Sequence, residues 1–195
     1  MRSQQKKIDP GRLGLDFDGV IADTAEVFIR LACDKYKHCD FGIDDITDFE
    51  VERCLNMQPD LVKSIFTEIM LDSVGTGLRP MPGAVEVLGE LSELAPITVI
   101  TARPEPAPVR EWLAIFFPRS TCIRIQVIAM GAHDDKIRHL HTHNLDHFID
   151  DRAETCVRIA DTGRDAFVFD HPWNRGRHSL PTVHNWQEIR NLCME

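Results

Sequence analysis

Gly14-Leu15-Asp16-Phe17-Asp18-Gly19-Val20 is a short apolar run that stops in a turn carrying two carboxylates. Read as a strand over about 13–17, it leans Leu13, Leu15 and Phe17 to one side. Residues two apart share a face in extended chain, so Asp16 and Asp18 point together. Gly19 then lets the backbone turn away. Two carboxylates this close repel each other and are costly to desolvate. A divalent cation relieves both penalties. Alone, D-x-D is equally the pattern of an ordinary acidic turn after a strand.

Working outward, Asp23-Thr24-Ala25-Glu26 has the form of a capping box, followed by Val27, Phe28, Leu31 and Ala32 on one helical face. From about 34 to 58 charged residues and turns dominate, with Tyr36, Phe41 and Phe49 scattered among them. A helix after Pro59-Asp60 carries Leu61, Val62, Ile65, Phe66 and Ile69. Residues 23–78 thus read as a small, helical, strand-poor block. Beyond it the pattern alternates. A helix over about 84–94 leads to the strand Ile97–Thr101. Pro104, Pro106 and Pro108 open another helix, tolerated only near its start. Strands follow at 123–128, 147–149 and 166–169, with helices from about Asp134 to His143 and over 153–161, the latter stopped by Gly163. Asn185 caps a final helix.

Strand–helix alternation of this kind predicts an α/β fold, a Rossmann-like parallel sheet with helices on both faces. Ligands bind such sheets at the carboxyl ends of the strands. Asp16 and Asp18 end the first strand, Thr101 the second, and Asp150 and Asp151 the fourth. Lys136, after the third, sits in the first turn of its helix, where the dipole disfavours a cation. A local rule broken there points to function.

The totals narrow the partners. The 195 residues suit one domain with a modest insertion; 43% are hydrophobic and 27% charged. A net charge of -9 argues against a nucleic-acid polymer or an anionic membrane and leaves a small anionic substrate, drawn by local cations. The six cysteines form no C-x-x-C pair, and several fall on apolar helix faces as reduced thiols. No apolar run approaches membrane-spanning length. The expectation is a soluble cytoplasmic protein with a loose leader over 1–11.

Asp16-Phe17-Asp18-Gly19-Val20, Thr101, Lys136 and Asp150-Asp151, in that order, resemble the four signatures of the haloacid dehalogenase-like hydrolases over nearly the whole chain. The stretch Phe169-Asp170-His171-Pro172-Trp173-Asn174-Arg175 and the short insertion are similar to the 5'(3')-deoxyribonucleotidase family. The resemblance implies an α/β core over 12–22 and 79–195 with a helical cap over 23–78. It implies Asp16 as nucleophile and Asp18 as acid and base. It implies Mg2+ on Asp16, Asp150 and the backbone carbonyl of Asp18, with Asp151 in support. Thr101, Ala102 and Lys136 would orient phosphate, and Arg103 would reach the substrate or pair with the cap. Phe41 or Phe49 would stack on a nucleobase. The implied activity is a magnesium-dependent 5'-nucleotidase. The alternatives are a phosphatase of a sugar phosphate or another small phosphomonoester, or a non-catalytic module of the same fold. Arg152, Asp170, Trp173 and Asn174 read as structural, and His139, His141 and His143 as surface histidines.

Overall fold

The computed structural model describes residues 7–131 and 135–194. Six strands form one sheet in the order β3-β2-β1-β4-β5-β6: β1 Leu13–Leu15, β2 Ile97–Thr101, β3 Ile125–Ala129, β4 His147–Asp150, β5 Asp165–Phe169 and β6 Thr182–Val183. Every pairing is parallel. Their carboxyl ends therefore share one edge.

Period-two alternation shows how both faces are covered. Ile97, Val99, Ile149, Phe167 and Phe169 enter one apolar cluster, while Ile100, Phe148, Ala166 and Val168 enter another. The first is closed by the helices α3 (Ala84–Leu94), α4 (Ala107–Phe116) and α8 (Trp186–Met194), through Leu88, Leu91, Trp112 and Ile189. The second is closed by α6 (Lys136–Thr142) and α7 (Ala153–Ala160), through Leu140, Cys156 and Ile159. A four-residue α5 (Arg119–Cys122) leads into β3, which starts two residues later than the pattern predicts.

The stretch between β1 and α3 holds α1 (Thr24–Asp34), α2 (Pro59–Leu71) and two short 3-10 turns. Asp23 caps α1 as its sequence predicts, its Oδ1 accepting from Glu26 N at 3.1 Å. Phe28 of α1 stacks on Phe66 of α2, with centroids 4.7 Å apart. Ile65 and Ile69 of α2 enter the same apolar cluster as β1. The chain leaves and returns through adjacent connectors. Ala22 bridges Pro80, Met81 N donates to Ile21 O and Asp23 N to Arg79 O.

Two expectations are corrected. Of the leader, residues 1–6 lie outside the described residues, but Ile8 is buried and its amide donates to Leu192 O, tying the chain to α8 from there on. The cysteines are not all thiols: Cys33 and Cys39 are joined in a disulfide at the end of α1, while Cys54, Cys122, Cys156 and Cys193 are free. The start of the 134–143 helix falls partly on residues 132–134, outside the described residues. Among the described residues no helix is long and apolar enough to cross a membrane.

Candidate active site

β1 ends at Leu15, and Asp16 N still donates to Ile149 O of β4, so Asp16 lies beside the end of β4. Asp150 is the last residue of that strand. One carboxylate oxygen each from Asp16, Asp150 and Asp151 falls within 4.8 Å of the others. All three side chains are buried. Lys136 joins them at the first position of α6, 3.0 Å from Asp16 Oδ1 and 2.6 Å from Asp150 Oδ2. Its two carboxylate partners account for a cation at a helix start. Asp150 Oδ1 also accepts from Arg152 N at 2.9 Å.

Gly19 makes the close approach possible. Its φ is +74°, and a Cβ there would collide with the Asp151 carboxylate. The loop is held from behind. His171 Nε2 donates to Gly19 O at 2.7 Å, and its ring lies flat on Trp173, 4.1 Å between centroids. Asn174 Nδ2 donates to Asp151 O and to Phe169 O, both at 2.8 Å. His171 and Trp173 therefore pack the loop, and Asn174 fastens the acidic turn.

Asp18 stands apart from the three converging carboxylates. Its Oδ1 accepts from Thr24 Oγ1 at 2.6 Å and from Arg103 Nη2 at 2.8 Å; its Oδ2 accepts from Arg103 Nε at 2.8 Å. Arg103 is 1% exposed, and its Nη1 donates to Ser73 Oγ at 2.6 Å and to Met70 O at 3.2 Å. Its backbone N donates to Thr101 Oγ1 at 3.2 Å. Sequence reasoning missed Thr24 and Ser73. The Asp23-Thr24 cap was a signal for the first; nothing in the sequence singles out the second.

The electrostatics follow from this layout. Burial pushes the Asp16 carboxyl up to about 7, with Asp150 and Asp18 adding to the shift and Lys136 opposing it. Burial, then Asp150 and Asp16, hold Asp151 well above the usual carboxylate range. For Asp18 burial raises, but the Arg103 charge and hydrogen bonds, with Thr24, outweigh it and leave the carboxyl lowered. Burial works against the Lys136 charge, yet Asp150 and Asp16 raise its pKa overall. Four carboxylates thus face two cations, Lys136 and Arg103. The surplus is balanced either by protons, which the raised values of Asp16 and Asp151 register, or by one divalent cation. An all-oxygen donor set of this size fits a hard ion such as Mg2+.

The remaining expected contacts divide. Thr101 is buried at the end of β2 and Ala102 is half-buried beside it. Phe49 lies over the Arg152 guanidinium at 4.7 Å, next to the acidic turn. Phe41 instead faces Phe28, 6.2 Å between centroids. Asp170 pairs with Arg175 at 2.8 Å. His139 and His143 stack on each other near Asp135.

Comparison with known proteins bears on the fold and the family. A curated protein of Halalkalibacterium halodurans, named as a putative nucleotidase, is 26% identical over 186 residues, covering 92% of this chain and 90% of its own. Two solved structures share the fold. One is a haloacid dehalogenase-like hydrolase from Streptococcus pneumoniae (TM-score 0.61, 13% identity, 91% of this chain and 95% of the other). The other is a haloacid dehalogenase-superfamily hydrolase from Ehrlichia chaffeensis (TM-score 0.52, 12% identity, 95% and 97%). The profile of the 5' nucleotidase, deoxy (pyrimidine), cytosolic type C proteins matches residues 11–195. The chain belongs to that family and is a haloacid dehalogenase-like phosphatase of the nucleotidase kind.

Proposed function

We propose that the enzyme is a magnesium-dependent 5'-nucleotidase that hydrolyses (deoxy)nucleoside monophosphates through an aspartyl-phosphate on Asp16. The observation that carries the reading is Lys136 bridging Asp16 and Asp150 while Asp151 converges on the same point. Asp16, Asp150 and Asp151 would hold the ion, with the Asp18 carbonyl as a further oxygen. Bound there, Mg2+ would neutralise the carboxylates and allow a phosphate dianion to approach.

Asp16 attacks phosphorus in line, the bond from phosphorus to the leaving oxygen breaks, and that oxygen takes a proton from Asp18. Water then attacks the aspartyl-phosphate and gives a proton to Asp18. Inorganic phosphate departs and Asp16 is restored. Arg103 lowers the Asp18 carboxyl and so favours the form that accepts the water's proton; the proton that Asp18 takes from water in one turnover is the one it gives to the leaving oxygen in the next. Lys136, Thr101 and the Ala102 amide orient phosphate oxygens.

Phe49, beside Arg152, supports a base-stacking role at the edge of the site. Phe41, turned toward Phe28, favours the second reading, a smaller phosphomonoester such as a sugar phosphate. The free thiols of Cys156 and Cys193, both buried, fit a cytoplasmic setting; the Cys33–Cys39 bridge weighs against it. Turnover of a panel of phosphomonoesters with Mg2+, read as phosphate released, decides among these. Asp16→Asn and EDTA are each expected to lower turnover of 4-nitrophenyl phosphate by about 10³-fold or more. Unchanged turnover after either treatment would refute the mechanism.

A further inference from the structure

Arg103 follows the phosphate-side residues Thr101 and Ala102 in sequence, yet its guanidinium is taken up elsewhere. Nε and Nη2 form a two-pronged pair with the two oxygens of Asp18, at 2.8 Å each. Nη1 meets Ser73 Oγ at 2.6 Å and Met70 O at 3.2 Å, just beyond and at the end of α2. Phe17 lies under its face, 4.9 Å from Cζ to the ring centroid. All three nitrogens are thus engaged by protein, in a side chain 1% exposed. Ser73 is itself 1% exposed, and its hydroxyl donates to Ile69 O at 3.1 Å. The guanidinium is planar, and its fork fixes the orientation of a carboxylate in a way a lysine ammonium does not.

We propose that Arg103 is a positioning residue rather than a phosphate ligand: it sets the orientation of Asp18 and ties that orientation to the carboxyl end of α2 through Ser73. The acid–base group is aligned only when the segment between β1 and α3 is seated. Ser73, far from the phosphate in sequence and in contact with neither Asp16 nor Asp150 in the hydrogen-bond pattern, acts on turnover through Arg103. This rests on the phosphatase mechanism proposed above, in which Asp18 moves the protons.

The test compares the full chain with Arg103→Lys, Ser73→Ala and the double variant, all with Mg2+. It reads kcat on a nucleoside monophosphate and, separately, the Kd of inorganic phosphate by calorimetry. General acid–base assistance is worth about 10²–10⁴-fold. Arg103→Lys, which keeps the charge and loses the fork, is expected to lower kcat by about 30-fold or more. Its Kd for phosphate is expected to stay within about twofold, since the phosphate contacts are intact. Ser73→Ala is expected to lower kcat by about three- to fivefold, again with Kd unchanged, and to add nothing in the Arg103→Lys background. A Kd that rises in step with the loss of kcat would make Arg103 a phosphate ligand and overturn the proposal. Multiplicative losses in the double variant would overturn the link through Ser73. Should Arg103→Lys fail to fold, Ser73→Ala decides: a fall in kcat at constant Kd supports the link, and an unchanged kcat overturns it. A wild-type chain that binds phosphate without turning over any phosphomonoester would instead remove the mechanism on which the proposal stands.

Discussion

Asp16 and Asp151 carry the two raised carboxyl pKa values of the site, and the direction has a consequence that can be measured. A carboxyl whose native pKa is raised binds its proton more tightly folded than unfolded. Its contribution to stability is therefore fullest below the unfolded value, 3.8, and is lost as pH climbs through the folded value, about 7 for Asp16. Without a cation, the protein is expected to lose stability from about pH 4 to 7 at this site. Mg2+ competes with those protons, so it should stabilise more at pH 8 than at pH 5. Thermal unfolding with and without Mg2+ at the two pH values checks this. An equal shift at both would mean that the ion binds away from these carboxylates. Asp150 and Lys136 were legible because each interrupts a regular pattern: an acid closing an apolar strand, a cation opening a helix. Thr24 shows in the sequence only as part of a helix cap, and Ser73 interrupts nothing. Each is a small hydroxyl at an element boundary, and only the folded chain shows that one touches Asp18 and the other Arg103.

At the scale of elements, the strands announce themselves where they are long. Ile97–Thr101 is an unbroken apolar and β-branched run, as a strand covered on both faces requires. Thr182–Val183 is too short to show any period, and it pairs because it lies beside Val168 and Phe169. Four-residue α5 escapes for the same reason. The loop after β5 matters more than its length suggests. Asn174 is 1% exposed and its amide serves Asp151 O and Phe169 O together. Asn174→Ala leaves two buried carbonyls without that partner, and is expected to destabilise the fold by about 1–3 kcal/mol, read by denaturant titration. Turnover should fall as well, since the Asp151 backbone loses its fastening. The disulfide was not legible, because two cysteines separated by five residues on a helix end are equally compatible with paired thiols and with a bridge.

For the whole molecule, the apolar cluster on one side of the sheet is continuous with the segment between β1 and α3. Phe28, Ile65 and Ile69 belong to the same cluster as Leu15, Phe17 and Trp112. Calorimetry is therefore expected to show one cooperative transition, with the calorimetric and van't Hoff enthalpies equal. Two resolved transitions would mean that the segment melts as a unit of its own. Arg177 adds a polar clasp between the loop after β5 and that segment, its Nη2 donating to Thr47 O at 2.9 Å and to Asp48 Oδ2 at 3.0 Å. The connectors carry a different lesson. Ala22 and Pro80 lie side by side, so everything between them hangs from a single doorway in the scaffold. A lineage can rewrite the intervening fifty-odd residues without rethreading any strand, provided that the replacement keeps an oily underside and, on the link proposed for Arg103, an equivalent of Ser73. On the base-stacking role proposed for Phe49, taste for a new metabolite would drift in this way while the phosphorus chemistry stays where it was.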